Sequence, residues 1–167
     1  MDRTCKFAFA QLHLTATVQI ATDFLSAVIE AVPYKIHTIL TDNGVQFGDM
    51  PQHRSGPTAR YRVHKFDRVC LEHGIEHRFT KPHHPWTNGQ VERMNRTLKE
   101  ATVRRYHYDR NDQLRQHLAA FLDAYNFAQR LKTLQGLTPY EAICKAWAVE
   151  PDRFRYDPTH LTSGLNT

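Results

Sequence analysis

The sequence predicts an α/β fold, a sheet flanked by helices, and three observations carry that prediction. Short apolar runs with a period of two alternate with stretches of helical period, and Pro, Gly or a capping residue marks each change-over. An acid, Asp42, stands at the C-terminal end of one short run, where such folds place their chemistry. The 167 residues, 41% hydrophobic, are one domain's worth of chain and enough to bury a core.

The elements follow in chain order. "KFAFAQLH" (6–13) reads as a buried strand, with Phe7 and Phe9 on one face and Ala8, Ala10 and Leu12 on the other. Ala21, Leu25, Val28 and Val32 fall at helical spacing behind threonine caps, and Pro33 closes that helix. "KIHTILTDNG" (35–44) is a short β-rich run ending in Asp42 and the turn pair Asn43-Gly44. Residues 48–60, polar and punctuated by Pro and Gly, read as an exposed insertion. Val63, Phe66 and Cys70 mark a short helix stopped by Gly74, and "IEHRFT" (75–80) reads as another strand. Leu114, Leu118, Phe121, Leu122 and Tyr125 trace an amphipathic helix over 112–130. "TPYE" (138–141) is a capping box with Pro at the first helical position, and the tail from Glu150 carries no core role.

Composition narrows the function classes. Lys and Arg total 22 against 17 Asp and Glu, for a net charge of +5 with 11 histidines besides, which favours a polyanionic partner. Cys5, Cys70 and Cys144 are odd in number and lack a C-x-x-C spacing, so they read as packing thiols of a reducing compartment. No apolar run approaches the roughly 18 residues of a membrane span, and no export signal opens the chain, so a cytoplasmic location is expected without a membrane partner.

The most informative stretch is "HHPWTNGQVERMNRTLKEATV" (83–103). A Pro/Trp/Gly loop gives way to a helix in which Val91, Met94, Leu98 and Ala101 share the face to be buried. Glu92, Arg96 and Lys99 share another face, and Thr87 with Gln90 forms a possible cap. A Glu–Arg pair at i,i+4 on a solvated surface is the plain reading of that face. The alternative is an acid that holds a metal while its neighbouring cations meet phosphate. A hard ion needs further oxygen donors, for which Asp42 and Asp2 are the candidates. Cys70, His73, His77, His83 and His84 lack standard zinc-finger spacing and read as surface and loop histidines. Tyr106 and Tyr108 in "RRYHYDR" read as packing aromatics rather than recombinase nucleophiles.

"DRTCKFAFAQL", "TDNGVQF" and "HHPWTNGQVERMNRTLKEATV" resemble the three acidic motifs of bacterial insertion-sequence DDE transposases, in the retroviral-integrase superfamily. The likeness extends through "AYNFAQRLKTLQGLTPYEAICKAW". It implies a ribonuclease-H-like fold with a mixed central sheet flanked by helices, and a catalytic, metal-binding triad of Asp2, Asp42 and Glu92. It implies two Mg²⁺ or Mn²⁺ ions, and DNA cleavage followed by attack of the new 3′-hydroxyl on target DNA. Arg96 and Lys99, with Arg93, Asn95, Asn88 and Trp86, become the implied contacts to transposon ends and target DNA. A homo-oligomer and a bacterial, nucleoid-associated location are implied as well. Residues 1–135 correspond to the catalytic core and 136–167 to a C-terminal helix and tail. The family's helix-turn-helix region and the strand leading into the first Asp have no counterpart, so a truncated transposase is expected. The rival readings are a ribonuclease-H-like nuclease that does not join, and a remnant that binds DNA or pairs with a full-length transposase.

Overall fold

A computed structural model describes residues 1–49, 63–80 and 89–160. Expectations for residues 50–60 of the insertion, for the loop at 83–88 and for the end of the tail lie outside these residues. The chain forms two compact units: Met1–Leu12, Pro33–Lys35 and Gly89–Thr167 make a helical unit, and His13–Val32 with Ile36–Asn88 make a sheet unit.

The sheet unit opens with α1 (Val18–Ala31), whose N-cap Thr17 accepts a hydrogen bond from the Ile20 N–H. Strand β1 (Thr38–Thr41) and strand β2 (Glu76–Phe79) pair in parallel, with Thr38 opposite Glu76 and Thr41 opposite Phe79. Parallel strands need a crossover, supplied here by α2 (Lys65–Glu72). His64 caps α2 through Nδ1, and Gly74 supplies the left-handed turn (φ +65°) that returns the chain to β2. Ala21, Leu25, Ile29, Phe66, Cys70 and Ile75 form the core, joined by Ile36, Ile39, Phe47 and Val69. Of the α1 face read from the sequence, Ala21 and Leu25 are buried as expected, but Ile29 takes the deep position assigned to Val28.

The helical unit contains α3 (Gly89–Ala101), α4 (Asn111–Asp123) and α5 (Pro139–Val149). Met94, Leu122 and Tyr125 pack with Ala8, supported by Leu98, Leu118 and Phe121. The expected capping box forms: Thr138 Oγ1 accepts the Glu141 N–H at 3.1 Å and Glu141 Oε2 accepts the Thr138 N–H at 2.9 Å.

Three expectations change in this unit. Residues 6–13 form no ladder, although Phe7 and Ala8 are both buried as a buried strand would have them. Their backbone finds a side chain in place of a strand: the Ala8 N–H donates to Asn126 Oδ1 (2.9 Å) and Asn126 Nδ2 donates to the Ala8 carbonyl (2.8 Å). The helix expected over 112–130 becomes a π-helical turn at Ala124–Ala128, closed by the Gln129 N–H on the Ala124 carbonyl. The tail takes part in packing: Phe154 bridges Tyr34, the Lys35 N–H reaches the Arg153 carbonyl, the Arg155 N–H reaches the Pro33 carbonyl, and Pro158 is buried. Its cohesion comes from backbone pairing, which an apolar period does not report.

Candidate active site

The three candidate acids occupy different local settings. Asp42 follows the last residue of β1, exposed, with Oδ1 accepting the Gly44 N–H at 2.9 Å. The Thr80 N–H donates to the Thr41 carbonyl (2.8 Å) and Asn43 Nδ2 donates to the Thr80 carbonyl (3.2 Å), so the residues on either side of Asp42 are both tied to the end of β2.

Glu92 lies in the first turn of α3, exposed, where the helix dipole favours a carboxylate. The i,i+4 Glu–Arg pair of the plain reading does not form, and among the described residues no ion pair engages Glu92, Arg93, Arg96 or Lys99. Arg104, Arg115, Arg130 and Arg153, by contrast, each meet an acid. Arg93, Asn95, Arg96 and Lys99 are all exposed. Met94 is the buried anchor of α3, and Leu98 packs beside it, but Val91, expected on that face, is exposed. Position 91 lies in the first turn, one turn short of the contact with Leu122 and Tyr125.

Asp2 serves its own turn. Its Oδ1 accepts the Thr4 and Cys5 N–H groups at 2.6 and 2.7 Å, and its backbone N–H donates to the Phe7 carbonyl. Lys6 closes this loop in the left-handed region (φ +63°) and donates through Nζ to Arg3 O and to Gln90 Oε1, which tethers the loop to the first turn of α3. Burial, with the Asp2 charge beside it, pushes the Cys5 thiol up to about 12. Burial also raises the Tyr34 phenol, whose oxygen lies 3.8 Å from Cys5 Sγ.

Sequence reasoning missed His77. It is no surface histidine: its side chain is 5% exposed, with Nδ1 2.6 Å from Asp67 Oδ1 and Nε2 2.8 Å from Thr41 Oγ1. No periodic signal marked it, because it is the one position of β2 that is not exposed. Cys5 and Cys70 are buried thiols as expected, and Cys144 is half-buried. Among the described residues no three His, Cys, Asp or Glu side chains gather closely enough to hold a metal ion, and no helix is long and apolar enough to cross a membrane. The exposed carboxylates of Asp42 and Glu92 have the hard-oxygen chemistry that suits Mg²⁺ or Mn²⁺, whereas Asp2 has one oxygen committed to its turn.

In structure, the chain is similar to the catalytic core domain of BIV integrase, with a TM-score of 0.56 and 21% identity over 84% of this chain and 80% of that one. The fold is that of the integrase catalytic core, a ribonuclease-H-like α/β fold. Within that fold the sheet of the described residues comprises the two parallel strands β1 and β2. Residues 73–139, which carry His77, Glu92 and all of α3 and α4, match the family model described as Integrase core domain. An uncharacterized protein of Caenorhabditis elegans is 30% identical over 101 residues, 59% of this chain and 7% of that protein. The Retrovirus-related Pol polyprotein from transposon TNT 1-94 of Nicotiana tabacum is 45% identical over 47 residues, 28% of this chain and 4% of that polyprotein. The chain thus spans 7% and 4% of the lengths of these curated relatives, both of them eukaryotic.

Proposed function

We propose that this chain is a catalytic core of the DDE transposase kind, which cuts DNA at an element's end and transfers the strand to a target. The observation that carries the proposal is α3, in the segment matching Integrase core domain: on exposed positions it presents a carboxylate, Glu92, and cations, Arg93, Arg96 and Lys99, that form no ion pair among the described residues. An i,i+4 pair on a solvated helix is worth only roughly 0.2–0.5 kcal/mol, so these cations are available to phosphate at little cost.

In this reading Asp42 and Glu92 would hold Mg²⁺ or Mn²⁺, and Asp2 would join them, on the motif resemblance. When bound, the ions supply Lewis acidity at the scissile phosphate. The chain's own residues do the rest. Arg93, Arg96 and Lys99 hold the phosphate backbone and Asn95 offers an amide to it, while Trp86 and Asn88 are assigned to DNA on the motif resemblance alone. The insertion-sequence origin, the pairing of two chains on two DNA ends and the action on nucleoid DNA belong to the same proposal.

The test gives the chain and its Glu92→Gln variant a labelled branched DNA with Mn²⁺, because resolving a branch asks only for the core. Resolution by the parent and its loss in the variant are expected. A folded parent that binds DNA without resolving the branch overturns the catalytic reading. It would favour the second one, a DNA-binding chain without catalysis, for which the engagement of Asp2 in its own turn speaks. Cutting without joining would mark a nuclease.

A further inference from the structure

Asp67, His77 and Thr41 form a chain of hydrogen bonds that runs from the first turn of α2, across β2, to the last residue of β1. An ionised carboxylate only accepts, so His77 Nδ1–H donates to Asp67, and Nε2 shares the second hydrogen bond with the Thr41 hydroxyl, which can serve as donor or acceptor. Phe66 and Phe79 flank the imidazole with ring centroids 4.9 and 4.5 Å away, which fixes its plane. The order acid, imidazole, hydroxyl is that of a nucleophilic triad. Thr41, however, is 8% exposed inside a strand, and a hydroxyl so buried meets no substrate. The network therefore acts on what Thr41 holds.

What Thr41 holds is Asp42. The strand has four residues, and at its end the backbone leaves the ladder for the turn 42–44. Short edge ladders fray at their last residue unless something beyond the backbone secures it. Here the Thr41 carbonyl takes the Thr80 N–H and the Thr41 side chain takes His77, so the residue is fixed on two sides. We propose that Asp67, His77 and Thr41 are positioning residues that set the backbone from which Asp42 projects. The inference rests on the reading of Asp42 as a catalytic carboxylate and adds the residues that orient it. Asp67 and His77 are outside every motif that carried that reading.

The test compares Thr41→Val, which keeps shape and β-branching but removes the hydroxyl, with Thr41→Ser, which restores it. Asp67→Ala, at a partly exposed position, repeats the test without touching the core, and Asp42→Asn is the control. Hydrogen exchange of the 42–44 amides is read beside branch resolution with Mn²⁺. Thr41→Val and Asp67→Ala are expected to speed that exchange about tenfold and to lower kcat by a similar factor at unchanged KM, with Thr41→Ser near the parent. Exchange within twofold of the parent in both variants, or a serine variant as impaired as the valine one, overturns the proposal. Activity that survives Asp42→Asn removes the catalytic reading of Asp42, while the exchange rates still decide whether the network holds the turn.

Discussion

Asn126→Ala tests how the segment before α1 is held. Asn126 is fully buried, and its amide exchanges two hydrogen bonds with the backbone of Ala8, itself 2% exposed. The substitution strands one N–H and one C=O in the interior, each costing roughly 1–3 kcal/mol, and removes the packing of the amide as well. The two groups together cost roughly 2–6 kcal/mol before the lost packing, a large part of the roughly 5–15 kcal/mol that a domain has. Urea titration followed by far-ultraviolet circular dichroism measures the loss as a fall in midpoint at constant slope. Asn126→Leu separates the two causes, because leucine fills a similar volume and still leaves Ala8 unpaired; a loss of roughly 2–6 kcal/mol is expected from it. If the leucine variant loses less than about 1 kcal/mol, the paired amide is not what secures this segment, and the reasoning fails.

Asp2→Ala should cost about 1 kcal/mol through loss of its two backbone N–H partners, while Asp2→Asn, which keeps an oxygen acceptor, should melt within a degree or two of the parent. Activity of the asparagine variant then reports on metal binding alone. The Arg96→Ala, Lys99→Ala double variant should reduce the slope of log affinity against log salt by about 0.9 per lost phosphate contact, read by fluorescence anisotropy on a DNA duplex. An unchanged slope would take α3 off the DNA. With the Cys5 thiol raised to about 12 in the folded chain against 9.0 for a free thiol, the unfolded state loses its proton first as pH rises. Stability should therefore fall between those values by at most about 1.4 kcal/mol per pH unit, with Tyr34 adding to the fall, and Cys5→Ala should flatten the decline.

The local code was the legible part. The α1 cap, the β1 and β2 runs, the Gly74 stop and the Thr138–Glu141 box are decided within a few residues, and the structure has them where the pattern puts them. What escaped was decided at a distance. Nothing near Ala8 says that its strand partner is an amide from 118 residues on. Nothing near Glu150 says that its tail lies along Pro33–Lys35. At the site, the position of Glu92 follows from helical period, but whether it pairs with Arg96 depends on side-chain conformations that spacing does not fix. Asp2 has the side chain of a metal ligand and that of a turn former, and the sequence alone offers both readings. His77 was hidden because one buried position in a four-residue strand has no period to reveal it.

The bond between Ala8 and Asn126 also orders events during synthesis. Residues Met1–Leu12 belong to a unit whose other major part begins at Gly89, so everything needed for the sheet unit emerges between them. At the usual 5–20 residues per second, the 118 residues that separate the partners take about 6–24 s to make, while loops and helices form in microseconds. For those seconds Phe7 and Ala8 leave the ribosome with no amide to receive them. An apolar opening segment must wait for the far half of its own unit, and a chaperone has that interval in which to hold it.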